Sequence, residues 1–170
     1  MTARCDVAIR QINVERWSLI SARPFAEVVA AIEKEIGHPD MRQFGKDIAA
    51  AHSWEELERV VQSATGGSDF LLFVRFDLGE VLRKDRGTSA HPMVRLVVGN
   101  PLIMKKMAEH VPDAGSHAPV TILVDERADG VHLSYDRMAS YLAPYENAAA
   151  LAVAKDLDAK VEDLLRKAAA

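Results

Sequence analysis

The sequence predicts an α+β fold: one mainly antiparallel curved sheet with a long C-terminal helix and additional N-terminal helices packed on one face. Three observations carry that expectation. Short apolar runs bounded by turn residues crowd the second half of the chain, at Phe70 to Phe76, Val94 to Val98, Val120 to Val124 and Val131 to Tyr135. Apolar residues at helical spacing fill most of the stretch before them, and one long helical stripe closes the chain from Asn147 to Lys167. Strands and helices grouped in blocks, rather than in strict alternation, are the mark of this class.

Taken in order, Val14 to Ser21 reads as a strand with Trp17, Leu19 and Ser21 on one side. Arg23-Pro24 starts a helix, because a proline at the first helical position gives up an N–H that had no partner. Phe25, Val28, Val29, Ile32 and Ile36 form its apolar stripe, and Gly37-His38-Pro39 ends it. Two further helices follow, Asp40 to Ala50 and Ser53 to Ala64. The second opens with Ser53 and Glu56 at capping-box spacing and buries Trp54, Leu57, Val60 and Val61. Thr65-Gly66-Gly67-Ser68 stops it.

Phe70 to Phe76 is an almost unbroken apolar run and reads as a central strand, with Val81 to Lys84 continuing as a further strand before a loop, Asp85 to His91. Val94 to Val98 is a strand that opens through Gly99-Asn100-Pro101 into a short helix, Leu102 to His110. Asp129-Gly130 between two apolar runs predicts a type I′ hairpin, whose two central residues take positive φ. On the C-terminal helix Ala150, Ala154, Leu157, Val161, Leu164 and Leu165 make the dry face. Asp156 with Lys160, Glu162 with Arg166 and Asp163 with Lys167 make four-residue ion pairs on the wet one.

With 170 residues, no repeat and no linker, the chain fits a single domain, 1–170, led by a loosely ordered segment, 1–12. Hydrophobic residues at 49% and charged ones at 27% exclude a disordered or low-complexity chain. A net charge of -4 argues against a nucleic-acid partner, which demands a concentrated surplus of Lys and Arg. No apolar run is long enough for a membrane span, and the start of the chain lacks the apolar core of a secretory signal. Cys5 is the single cysteine and has no intramolecular disulfide partner. Cytoplasmic residence is the expectation.

Val97-Val98-Gly99-Asn100-Pro101, Ala118-Pro119, Asp129-Gly130 and Ser134-Tyr135-Asp136, in that order, resemble the domain of unknown function 302 family over Val14 to Leu165. The resemblance implies a β-α-β4-α domain of the TATA-binding-protein-like and helix-grip-like group, and a homodimer. The chain departs from the family pattern twice. Residues 40–64 read as a helical insertion, and Leu78 stands where many family members carry histidine after the aspartate. The family brings no established catalytic residue.

The candidate ligand-binding residues are Tyr135, Asn100, His132, Arg95 and His117. Asn100 before Pro101 caps a helix, or offers an anion site with Lys105 and Lys106 nearby. Tyr135 brings a hydroxyl to an otherwise apolar strand face, where it needs a partner. Arg75, Arg95 and His132 alternate with apolar residues, which places them on a sheet face without helices. If concave, such a face holds an anionic ligand; if flat, it serves as a dimer interface. Met93, Met104, Met107 and Met138 fill core gaps, with a soft apolar pocket as the alternative.

His132, Ser134 and Asp136 alternate on one strand and so stand about 7 Å apart, too far for a catalytic relay. Among His38, His52, His91, His110, His117 and His132 no pair has the four-residue spacing of a helical metal site, so no metal is implied. The leading reading is a non-enzymatic domain that binds a small apolar or weakly acidic ligand between sheet and long helix, or self-associates. One alternative is a small lyase, isomerase or hydrolase using Tyr135, Asp136, His132 or His117 as acid and base. The other is a haem or metal protein ligated by His110 or His117. No cofactor follows from the residues themselves.

Overall fold

A computed structural model of the chain describes residues 6–86 and 90–170. Cys5 and residues 87–89 of the expected loop lie outside the described residues. Five strands form one antiparallel sheet in the order β1-β5-β4-β3-β2, with β1 Arg16–Ser21, β2 Leu71–Asp77, β3 Met93–Gly99, β4 Val120–Arg127 and β5 Gly130–Asp136. Helix α1, Phe25–Glu35, follows β1. Helices α2, Met41–Ala50, and α3, Trp54–Ala64, come before β2. Helices α4, Leu78–Arg86, and α5, Pro101–Ala108, flank β3, and α6, Met138–Leu142, and α7, Ala148–Ala169, close the chain.

Alternation along the strands sorts the two faces. Val94, Leu96 and Val98 of β3, Val120, Ile122 and Val124 of β4, and Val131, Leu133 and Tyr135 of β5 are buried. They meet Val28, Val29 and Ile32 of α1, Met107 of α5, and Ala154, Leu157, Val161 and Leu165 of α7 in one core. Helix α7 is tied to β1 at its end: Ser21 Oγ donates to the Ala169 carbonyl at 2.7 Å and Arg23 to the Ala168 carbonyl at 2.8 Å. These bonds satisfy carbonyls that a helix C-terminus leaves open. Helices α2 and α3 pack instead around Phe44, Val61 and Leu71, with Phe73 and Leu102 against them, in a smaller core at the start of β2.

Several sequence expectations are corrected. The run Phe70 to Phe76 forms an edge strand, not a central one, and Val74 and Phe76 are each 41% exposed. A bulge between Leu72 and Val74 resets its register, so Arg75 pairs with buried Leu96 and turns to Glu33 of α1 at 2.9 Å, leaving the open face. Val81 to Lys84 belongs to α4 rather than to a strand. Asp77 caps that helix by accepting from the Glu80 N–H at 2.8 Å. The β4–β5 turn is Ala128-Asp129, with Arg127 paired to Gly130, and only Gly130 has positive φ, at 135°. Trp54 is half exposed beneath Lys105, whose Nζ lies 5.2 Å from the ring centroid, rather than buried. Lys160 pairs with Asp69 at 2.7 Å instead of with Asp156.

Candidate functional site

The face of the sheet turned away from α1, α5 and α7 carries a cleft of about 480 Å³. Its floor follows from the register: Arg16 stands opposite Asp136, Ser134 opposite Leu123, and Leu123 opposite Arg95. Met93 and Thr121, on the same face of their strands, complete it. Leu78 from the start of α4, Ser116, His117 and Pro119 from the segment before β4, and Tyr141 from α6 form the walls.

Arg95 lies with its guanidinium carbon 4.8 Å from the centroid of the Phe76 ring, a cation–π contact that leaves its N–H groups free of that ring. No carboxylate among the described residues pairs with it. Arg16 is committed to Asp136 through two bonds, Nε to Oδ1 at 2.7 Å and Nη2 to Oδ2 at 2.9 Å. That bidentate pair holds the Asp136 carboxyl below the usual carboxylate range and raises Arg16. The His117 and Tyr141 rings are stacked, with centroids 4.1 Å apart and planes 14° apart. Burial lowers the His117 pKa, opposed by Asp113, so its ring is the more easily kept neutral. Burial, then the Asp136 charge, raises the Tyr141 hydroxyl.

Of the five candidate residues, Arg95 and His117 bring side chains to this cleft. Tyr135 contributes to its lining but turns its hydroxyl to the helix side, where it donates to Asp158 Oδ1 at 2.6 Å. Asp158, on α7, also accepts from the Met138 and Ala139 N–H groups at 2.7 and 3.0 Å. It thus caps α6 from a distant helix, since the cap residue Arg137 offers no side-chain bond of its own. Burial raises the Asp158 carboxyl despite those donors and pushes the Tyr135 phenol far up. Asn100 is buried and fully used: its Oδ1 accepts from Leu102 N–H at 2.8 Å and its amide donates to the Asp69 carbonyl at 3.0 Å. The capping role therefore accounts for it, and Lys105 turns to Glu109. His132 contacts Asp129 of its own hairpin at 2.7 Å, and His110 sits 3.8 Å from Glu109, outside the cleft.

Arg16, Tyr141 and Asp158 escaped the sequence reading. Asp158 left a signal, since it stands four residues from Ala154 and three from Val161 and so interrupts the dry stripe of α7 with a carboxylate. Arg16 and Tyr141 left none, because only the β1–β5 register and the path of α6 bring them beside Asp136. Among the described residues, no group of three His, Cys, Asp or Glu side chains is placed to hold a metal ion. No helix among them is long and apolar enough to cross a membrane.

Fold and site together define a small α+β domain with one helix-covered sheet face and one open face bearing an arginine-floored cleft. The chain belongs to the family described as Domain of unknown function DUF302, which it matches over residues 44–168. The matched span begins inside α2, so it takes in α3 and most of the stretch read as an insertion, while β1 and α1 precede it. A crystal structure of the uncharacterized conserved protein DUF302 from Bacillus stearothermophilus is similar, with a TM-score of 0.63 and 14% identity, over 90% of this chain and 97% of that one. At that identity the likeness concerns the fold alone. No curated protein matches the chain.

Proposed function

We propose that this chain is a non-enzymatic binding domain that holds a small carboxylate ligand on the open face of its sheet. The observation that carries the reading is Arg95, a guanidinium without a carboxylate partner among the described residues, on the floor of a cleft of about 480 Å³. A guanidinium presents a planar fork that matches a carboxylate, and an apolar surround of Met93, Leu123 and Leu78 weakens competition from water. The cleft lies opposite the position expected from sequence: beneath β5 the space between sheet and long helix is occupied by core side chains and the Tyr135–Asp158 bond.

Of the residues of the enzyme alternative, His117 and Asp136 line the cleft, but Asp136 is taken up by its bidentate pair with Arg16, and His117 meets Tyr141 through ring faces rather than through a hydrogen bond. Tyr135 places its hydroxyl on the covered face, and His132 is held by Asp129. General acid–base work needs groups within hydrogen-bond reach of one reacting atom. The test is a thermal-melt panel of small carboxylates. A ligand at a hundred times its Kd adds about 2.7 kcal/mol, a rise in Tm of roughly 5–10 °C for a chain of this size. Arg95→Ala should abolish the rise. A panel without effect, or an effect that survives Arg95→Ala, would overturn the reading.

Self-association is favoured by a separate observation. Val74 and Phe76 on edge strand β2, with Val81 and Leu82 on α4, are 41, 41, 68 and 36% exposed. An edge strand with apolar side chains invites pairing with a second copy. Light scattering should then report the mass of two chains, and Phe76→Glu should return the mass of one; a monomeric native protein would contradict it.

A further inference from the structure

A second cavity, of about 140 Å³, adjoins the cleft and shares Pro119 and Val120 with it. Phe73, Ile103, Met104, Met107, Ala118 and Leu157 make its wall apolar. Its one polar side chain, Asn100, is already bonded to Leu102 and Asp69. A water is held well only by two to four polar partners, so this wall binds water weakly, and the size of the cavity suits an apolar group about as large as a benzene ring. Gly99 lies on the same face of β3 as Arg95 and borders this second cavity. A Cβ there would stand 3.1 Å from the Pro119 Cβ and 3.6 Å from the Phe73 ring, so the bare glycine leaves the gap between them clear. Four residue steps along the strand separate Arg95 from Gly99, roughly 13 Å.

We propose that the two cavities are one bipartite site for an amphipathic carboxylate, its charged end at Arg95 and its alkyl or aryl arm passing Pro119 into the cavity bounded by Gly99 and Leu157. This rests on the reading that the cleft takes a carboxylate. It adds the chemistry of the rest of the ligand. A cationic pocket alone would favour any small anion; a cationic pocket joined to an apolar one favours a monocarboxylate with an apolar arm. Two of the methionines expected to fill core gaps, Met104 and Met107, line the arm site, where their pliable side chains adapt to arms of different shape.

The methionines supply the test without any substitution. Met93 and Met138 line the cleft, Met104 and Met107 line the apolar cavity, and Met41 lines neither. Methyl NMR of the full chain, labelled at methionine, is followed during titration with acetate, hexanoate, decanoate and, as the neutral counterpart, decanol. Acetate should shift Met93 and leave Met104 and Met107 still. Decanoate should shift Met93, Met104 and Met107 together while Met41 stays still, and each methylene that enters the cavity should tighten binding about fourfold. If decanoate acts as acetate does, with no gain in affinity and no shift at Met104 or Met107, the bipartite site is overturned and carboxylate binding in the cleft stands. If decanol matches decanoate at Met104 and Met107 with Met93 unmoved, the cavities are separate sites and the inference fails. If no carboxylate moves Met93, the reading of the cleft falls with it.

Discussion

Asp158 serves three donors from one buried position: the Tyr135 hydroxyl and the N–H groups of Met138 and Ala139. Asp158→Ala leaves the Tyr135 hydroxyl and the Ala139 N–H without an acceptor and the Met138 N–H with only the Tyr135 oxygen, at 3.2 Å; a buried donor without a partner is destabilising by 1–3 kcal/mol, so urea unfolding should show a loss of about 3 kcal/mol. Tyr135→Phe removes one donor and leaves the carboxylate two, so its loss should be about 1 kcal/mol. If Asp158→Ala lost no more than Tyr135→Phe, the capping role would be wrong. That Tyr135 needed a partner was legible from an apolar strand face. Which residue supplied it was not, because that depends on how α7 lies across the sheet.

His117 gives a pH dependence of known sign. Its folded pKa lies below the ordinary 6.5, chiefly through burial, so the folded chain binds this proton less readily than the unfolded one. The group is neutral toward stability above about 6.5, and stability falls as pH drops from there through the folded pKa. An NMR titration should place the His117 midpoint below 6.5, and His117→Gln should remove that part of the acid slope in Tm. A midpoint at or above 6.5 would contradict it. Carboxylate bound in the cleft should move the midpoint upward, because a nearby anion favours the imidazolium.

At the scale of elements, two chain crossings fix where α1, α3 and β2 meet. A Cβ on Gly37 would lie 1.8 Å from the Ala64 carbonyl oxygen, and one on Gly66 would lie 2.5 Å from that of Glu35. Both obstacles are backbone, which cannot rotate aside. Gly37→Ala should therefore lower stability by about 3 kcal/mol or more, beyond the usual range of overpacking. Gly45, inside α2 with nothing within 4 Å of its added Cβ, is the control. Gly45→Ala should raise stability by about 0.5–1 kcal/mol. Thermal unfolding of the pair decides, and equal effects would refute the crossing.

The helices and strands that carry strong local signals were legible: α1 from its stripe, α3 from Ser53, α5 from Asn100-Pro101, and α7 from its dry face. Two elements were misread for stated reasons. A continuous apolar run looks the same whether both faces are covered, as in a central strand, or one end only, as in β2, where α2 and α3 cover Leu71 and leave Phe76 exposed. Val81 to Lys84 is too short for period alone to separate strand from helix. The cap was nevertheless written in the sequence, with Asp77 three residues before Glu80. The bulge at Phe73, which removes Arg75 from the open face, has no signal in residue type at all.

For the whole molecule, most of the covered face is structure, and the open face, with the apolar cavity at the end of β3 beside it, is the place for a ligand. Alternation alone put Arg95 on that open face. The cleft became visible only when the walls from α4, α6 and the segment before β4 were in place, because their positions are set by packing rather than by spacing. Exposed Val74 and Phe76 lie on that same face, so association of two copies through β2 should alter access to the cleft. Val74→Glu, which spares the contact of Arg95 with Phe76, should therefore change both the mass in solution and the carboxylate affinity, whereas a change in mass alone would separate the two surfaces.

The most direct measurement is the anomalous bromine signal from a crystal soaked with a bromine-bearing benzoate. The peak is expected on the open face, close to Arg95 and between Leu123 and His117, and absent from Arg95→Ala crystals. A peak on the helix side beside Tyr135 and Asp158, or a peak unchanged by Arg95→Ala, would contradict the assignment of the cleft.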